Sequence, residues 1–233
     1  MSNVFCRYDL RTLDVDAARS FYEDVLALDF GAPSSIVAAW PLHEQARARG
    51  VPPHWLGQIG VEDLEAFAKR LVELGGERLG ATVRANDGAV YAAIRDPFGA
   101  VVALRESAHR PQQSPVSWHQ LHTRDLERAW ATYSDLFGWT ETGAIEAADP
   151  EGGHRLFCFE KNGNTIGSIA NTARWPGVHT HWLFYFPVKD LESASASVRA
   201  KGGVANNPVT LPSGGRLVAC EDPQGAAFGL TQS

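Results

Sequence analysis

Residues 54–64 read HWLGQIGVEDL, and residues 181–191 read HWLFYFPVKDL, 127 positions later. A phrase repeated at this distance restricts the chain to folds that use one supersecondary unit more than once. The match continues as HWLGQIGVEDLEAFAKRLVELGG against HWLFYFPVKDLESASASVRAKGG, and ends in RDPFGAVVAL against EDPQGAAFGL at a spacing of 126. Upstream, RTLDVDAARSFYEDVLAL echoes HTRDLERAWATYSDLFGW at a spacing of 111. From Thr12 to His54 is 42 residues and from Thr123 to His181 is 58, so the first half is 16 residues shorter in this region. The polar, proline-containing stretch SAHRPQQSPV reads as a linker. The sequence is therefore expected to divide into residues 1–106, a linker at 107–116, and residues 117–233.

A second similarity lies inside each half, where a strand-like run is twice followed by Asp and then by a helical pattern. The four residues are Asp14, Asp63, Asp125 and Asp190. An aspartate there accepts a hydrogen bond from an orphan N–H of the first helical turn. Three of the four continue as DLE, adding an acid that suits the positive end of the helix dipole. Leu64, Phe67, Ala68, Leu71 and Val72 form one apolar stripe, and Leu126, Ala129, Trp130, Tyr133 and Phe137 form another. Gly75-Gly76 and Gly202-Gly203 suit left-handed helix ends. Two short strands are expected after each glycine pair, joined by DPFG and DPQG, whose Asp, Pro and Gly fit a type I turn. HRLFCFEKNGNTIGSIAN predicts two strands around Asn162-Gly163. The first module departs from this pattern: only SSIVAAWPL is strand-like, LHEQARARG is helical, and one or two strands are expected to be missing.

Composition closes several alternatives. The net charge is −6, with 21 Lys and Arg against 27 Asp and Glu, and no basic run or stripe points to nucleic acid. No apolar stretch reaches the 18 or more residues of a membrane helix. MSNVFCRYDLRTLD lacks the pattern of a secretory signal. Cys6, Cys158 and Cys220 make no CxxC pair and read as free core thiols, which fits a reducing cytoplasm. P-loop, GxGxxG, GxSxG and HExxH patterns are absent.

Four βαβββ-like modules, the D-L-E caps, a Phe/Tyr-rich first helix and DPxG before the last strand together resemble the vicinal oxygen chelate superfamily. That family includes glyoxalase I, extradiol dioxygenases and bleomycin- and fosfomycin-resistance proteins. The chain is most similar to its tandem two-domain members; W-H-Q-L opens the second half, with Gln120 where an acid is common. The resemblance implies an α+β fold in which paired βαβββ modules form curved mixed sheets, each lining a cup. It also implies where metal ligands would stand: seven residues before each cap aspartate, and about seven after the Asp of DPxG. Here those positions hold Arg7, Leu56, Trp118, Leu183, Ala103 and Gly229. None is a usable ligand for zinc, iron or manganese. No metal and no cofactor is expected.

Strand alternation, placed in that cup, gives candidate ligand-binding residues. In the second half they are Trp118, Gln120, His122, His181 and Tyr185; in the first, Arg7, Asp9, His54 and Gln58. Arg7 and Asp9 suit either ligand contact or a structural ion pair. His179 and His181 would share one side of a strand, and with His122 could form a new cluster. His119, Leu121 and Thr123 face the other way, and Trp182, Phe184, Phe186 and Val188 pack on helices. The expected partner is a small organic molecule, held by a cytoplasmic monomer or homodimer for sequestration, resistance or secondary metabolism. Three rivals stand beside this reading. One is a metal-dependent lyase or dioxygenase with relocated histidines. Another is a metal-free enzyme using His122, His181 and Tyr185 as acid and base. The last is a scaffold that binds no small molecule.

Overall fold

The computed structural model describes residues 3–31, 35–107, 111, 113–145, 153–210 and 215–232. Within the expected linker, residues 108–110 and 112 lie outside the described residues. The first module runs β1 (Phe5–Thr12), α1 (Val15–Leu26), β2 (Val37–Pro41) and α2 (Glu44–Ala48). The second runs β3 (His54–Val61), α3 (Leu64–Glu73), β4 (Glu77–Arg78), β5 (Val83–Arg84), β6 (Val90–Arg95) and β7 (Val101–Glu106). The third has β8 (Trp118–His122), α4 (Leu126–Phe137), β9 (Thr140–Ile145), β10 (His154–Cys158), β11 (Gly167–Ala170) and a 3-10 turn at Asn171–Arg174. The fourth has β12 (His181–Pro187), α5 (Leu191–Ala200), β13 (Val204–Ala205), β14 (Val209–Thr210), β15 (Arg216–Glu221) and β16 (Ala227–Gln232). Among the described residues, no helix is long and apolar enough to cross a membrane.

The local chemistry follows the sequence. Asp14, Asp63, Asp125 and Asp190 accept from Ala17 N, Ala66 N, Arg128 N and Ser193 N at 3.0, 2.9, 3.2 and 2.6 Å. Each such cap is typically worth about 1 kcal/mol. Gly75 and Gly202 take φ of 102° and 86° just past α3 and α5. The DPxG turns close with Gly99 N on Asp96 O (3.1 Å) and Gly225 N on Asp222 O (2.9 Å). Along the expected stripes, Leu64, Ala68, Leu71, Leu126, Ala129, Tyr133 and Phe137 are buried. Val72 is a correction: it lies on the solvent side of α3, 45% exposed. A second correction is the strand count after each glycine pair. Two-residue strands β4 and β5 precede the β6–β7 hairpin, and β13 and β14 likewise precede β15–β16. They are too short for periodicity to register.

The chain gathers into two compact units. One contains Met1–Cys6, Gly57–Gln112 and His119–Trp182; the other contains Arg7–Leu56, Gln113–Trp118 and Leu183–Ser233. Modules two and three thus make most of one unit, and modules one and four most of the other.

In the first unit, one set of strands is ordered β3-β7-β6-β4, with β5 also beside β6, and the other is ordered β8-β11-β10-β9. β3 with β7 and β8 with β11 are parallel, and the remaining neighbours are antiparallel. The helix side of the second set is aromatic: Trp139 stacks on Phe157 with centroids 4.8 Å apart, and Phe5 stacks on His119 at 4.9 Å. Gly167 makes room there, because a Cβ would sit 2.4 Å from His119 O and 2.5 Å from Phe157 Cζ.

In the second unit, β1 and β2 are parallel. Its other strands are ordered β12-β16-β15-β13, with β14 also beside β15. Tyr22, Phe30, Trp55, Phe186 and Phe228 fill this core.

A polar chain is repeated in both cores. Trp182 Nε1 donates to Tyr133 Oη (3.0 Å), which donates to Asp96 Oδ2 (2.9 Å). Trp55 Nε1 donates to Tyr22 Oη (3.0 Å), which donates to Asp222 Oδ2 (3.2 Å). Asp96 and Asp222 use Oδ1 to accept two backbone N–H groups of their own turns. In each chain the Asp comes from the opposite half of the sequence to the Trp and Tyr. Burial raises both carboxyl pKa values above the ordinary range and raises both phenols well above theirs.

Candidate functional site

Alternation and register define the face of each sheet that the core does not use. In the first unit, β8 presents Gln120 and His122 beside Ser168 and Ala170 of β11, and β10 aligns His154 with Ala170. The structure brings His122 and His181 together, their rings stacked with centroids 4.7 Å apart at 20°. His122 bonds through Nδ1 to the Thr172 hydroxyl, and His154 Nδ1 is 3.4 Å from Ser168 Oγ. His181 Nδ1 is 2.8 Å from the carbonyl oxygen of His179. A carbonyl only accepts, so the His181 proton sits on Nδ1 and Nε2 keeps a lone pair. The expected pairing of His179 and His181 on one strand face does not occur, because β12 begins at His181 and His179 acts through its backbone.

These imidazoles are held neutral. Burial, reinforced by the charges of His181 and His154, pushes His122 down to about 3. Burial lowers His154 and His181 as well. His119 faces the core as expected and is pushed down to about 4 by burial. Gln120 is buried. Also in this unit, Gln58 is fully buried and accepts from Arg105 Nη1 at 3.2 Å.

In the second unit, Asp9 lies between two guanidinium groups, with Arg7 Nε 3.0 Å away and Arg11 Nη2 3.2 Å away. The structure therefore gives Arg7 and Asp9 an ion pair. His54 repeats the His181 arrangement, with Nδ1 2.8 Å from Pro52 O, and its pKa is lowered by burial and by the Arg11 charge. Arg11 is the repeat equivalent of His122, so the imidazole pair of one half is a guanidinium–imidazole pair in the other. Tyr185 is buried, its phenol pKa raised chiefly by burial. Trp118, at the head of β8, is half-buried.

The positions at which the resemblance places metal ligands do not fit an ion. Leu56, Leu183 and Ala103 are buried and carry no donor. Gly229 faces Tyr185 across the β12–β16 ladder, and a Cβ there would lie 2.0 Å from Tyr185 Cδ1. The Tyr185 ring thus fills the space in which a carboxylate side chain would begin. Among the described residues, no three His, Cys, Asp or Glu side chains are grouped to hold a metal. Cys6, Cys158 and Cys220 are buried.

Arg11, Arg105, His154, Ser168 and Thr172 are contacts of the candidate residues that the sequence did not single out. Alternation along RDPFGAVVALRE would have found Arg105, two residues beyond Ala103. Alternation along β1 would have found Arg11. The facing of β10 and β11 depends on ladder register, which no local pattern carries.

Comparison with known proteins places this geometry. The model of the Glyoxalase/Bleomycin resistance protein/Dioxygenase superfamily matches residues 5–104 and 116–230. The chain is 29% identical over 244 residues to CFP32 of Mycobacterium tuberculosis, named as a proposed glyoxylase, covering 95% of this chain and 92% of that protein. It is 29% identical over 129 residues to the anthracycline biosynthesis protein DauV of a Streptomyces species, covering 49% and 45% of the two chains. Its fold is similar to that of the Mn(II)-bound glyoxalase of Novosphingobium aromaticivorans, with a TM-score of 0.66 and 12% identity over 100% of this chain and 83% of the other. With the repeated modules, the mixed sheets and both matched segments in agreement, the chain belongs to the Glyoxalase/Bleomycin resistance protein/Dioxygenase superfamily.

Proposed function

We propose that this chain is a metal-free, glyoxalase-like binding protein that holds a small organic molecule in an aromatic-lined cup. The observation that carries the reading is the chemistry of the six family ligand positions. They hold Arg7, Leu56, Trp118, Leu183, Ala103 and Gly229, and Tyr185 covers the last. In the unit built from modules two and three, neutral acceptors and donors are gathered: His122, His181, His154, Gln120 and Ser168. Such groups orient a ligand without themselves carrying charge. An imidazole pushed down to about 3 is a weak base at neutral pH, so His122 suits binding better than acid–base catalysis. Three buried cysteines fit a reducing cytoplasm. The name of DauV, an anthracycline biosynthesis protein, supports a role beside secondary metabolism, while the name of CFP32, a glyoxylase, supports an enzyme.

Two measurements test the proposal. Protein purified without chelator and dialysed should carry no stoichiometric zinc, iron or manganese; retention of one equivalent overturns the metal-free reading. A panel of small aromatic compounds should include binders that raise Tm, and a ligand at 100 times its Kd stabilises by about 2.7 kcal/mol. His181→Ala should weaken those binders, since it removes the fixed Nε2 acceptor.

A further inference from the structure

The face of the second module carries a charge that the binding function leaves unexplained. Arg105 lies on β7, two residues past Ala103, and Gln58 stands opposite Ala103 in the β3–β7 ladder. The Arg105 side chain is only 6% exposed. Its Nη1 donates to Gln58 Oε1, and its Nη2 donates to Asp87 Oδ2. Gln58 is a fixed part of the sheet. Asp87 sits at the tip of the β5–β6 hairpin, where its Oδ1 accepts from Ala89 N at 3.2 Å and its side chain is 53% exposed. That tip is closed by Ala85 N on Ala89 O (2.8 Å) and Gly88 N on Ala85 O (2.9 Å). A buried guanidinium requires a counter-charge, and here a solvent-facing loop supplies one. Because the Asp87 partner is half in water, solvent and a dissolved carboxylate can compete for its place, while the buried guanidinium still needs an anion. A guanidinium presents a planar fork that any carboxylate matches in the same way.

We propose that Arg105 and Gln58 form a carboxylate-recognition site, in which Asp87 occupies the place of a ligand carboxylate until the β5–β6 hairpin releases it. The inference builds on the binding function proposed above and adds the class of ligand, a small organic acid. Exchange conserves charge: the ligand carboxylate replaces Asp87 on the fork, and Asp87 is left in water. Tyr91 stands directly opposite Arg105 in the β6–β7 ladder, and the next pair on that face is Ala93 with Ala103, so small side chains lie on one side of the fork and a phenol ring on another.

The test is calorimetric binding of benzoate and of its neutral isostere benzamide, at constant ionic strength, to the full chain and its variants. Asp87→Ala removes the resident carboxylate and should bind benzoate about 10–100-fold more tightly than the unmodified chain, with no gain for benzamide, the range expected when one hydrogen bond to a charged group is freed. Arg105→Met, alone or with Asp87→Ala, should lose benzoate binding. If Arg105→Met does not fold, Arg105→Lys keeps the charge without the fork and should still lose most of the affinity. Equal binding of benzoate and benzamide by Asp87→Ala, or benzoate binding that survives loss of the fork, overturns the proposal. If neutral aromatic compounds bind but benzoate does not prefer Asp87→Ala, the carboxylate site falls and the binding function stands. If no organic compound binds any variant, both fall.

Discussion

At the scale of single residues, the two Trp–Tyr–Asp chains place the largest demands on the fold. The Tyr133 hydroxyl receives from Trp182 and gives to Asp96, and all three residues are buried. Tyr133→Phe keeps the ring but strands a carboxylate oxygen and an indole N–H. A loss of about 2–4 kcal/mol in urea unfolding is expected, since each buried unsatisfied group costs about 1–3 kcal/mol. Tyr22→Phe should behave alike; a change below about 0.5 kcal/mol in both, the level of an ordinary surface substitution, would show that these chains do not stabilise the fold. The histidines set the response to acid. His54, His119, His122, His154 and His181 all have lowered pKa values in the folded chain. The stability they contribute is fully present above the free imidazole value of about 6.5. It is lost as pH falls through the folded values, which reach about 4 for His119 and about 3 for His122. Asp96 and Asp222 act in the opposite sense: their raised values mean a contribution present at low pH and lost as pH rises through them. Five imidazoles outweigh two carboxyls, so Tm should fall on acidification from pH 7 to 4. His122→Gln should flatten that fall, and a parallel curve for the variant would remove His122 from the account.

At the scale of elements, what the sequence made legible is what short-range chemistry dictates. The four cap aspartates, the glycines past α3 and α5 and the DPxG turns each act within a few residues, so their spacing alone locates them. The shortened first module was legible from the 16 missing residues: one strand, β2, and one short helix, α2, stand where the third module has β9, β10 and β11. The proposed binding face was legible only in part. Alternation puts Arg7 and Asp9 on one face, where the structure pairs them, whereas the stacking of His122 on His181 and the approach of His154 and Ser168 depend on how separate strands are set beside one another. The longer-range role of Asp96 and Asp222 was hidden because the turn alone already accounts for an aspartate there. Tyr185 and Gly229 show the same limit: neither residue announces that the other covers it. Gly229→Ala drives a Cβ to 2.0 Å from the Tyr185 ring and should destabilise by about 1–3 kcal/mol, the usual range for overpacking. In a Tyr185→Ala background the same substitution should cost much less, because the obstructing ring is gone. Equal costs in the two backgrounds would mean that the tyrosine does not fill the space in which a side chain at position 229 would begin.

At the scale of the whole molecule, sequence halves and compact units do not coincide. Residues 7–56 share a unit with 183–233, and residues 57–112 share one with 119–182. The polar chains cross between halves in the same sense, so Tyr22 and Trp55 need Asp222, and Tyr133 and Trp182 need Asp96. Cutting the chain between residues 106 and 117 would leave each half with two modules but without the core partners of either. A half expressed alone loses the aromatic packing of Tyr22 on Phe228, or the hydrogen bond from Tyr133 to Asp96, together with apolar burial worth roughly 25 cal/mol per Å². Residues 1–106 or 117–233 alone should therefore give no cooperative urea transition and little near-ultraviolet signal from their buried tryptophans. Mixed or co-expressed halves should recover both, because the missing contacts are intermolecular once the linker is cut. A sharp unfolding transition from either half in isolation would mean that the repeat folds as two autonomous domains, and that the crossing of the Trp–Tyr–Asp chains follows from assembly rather than making it possible.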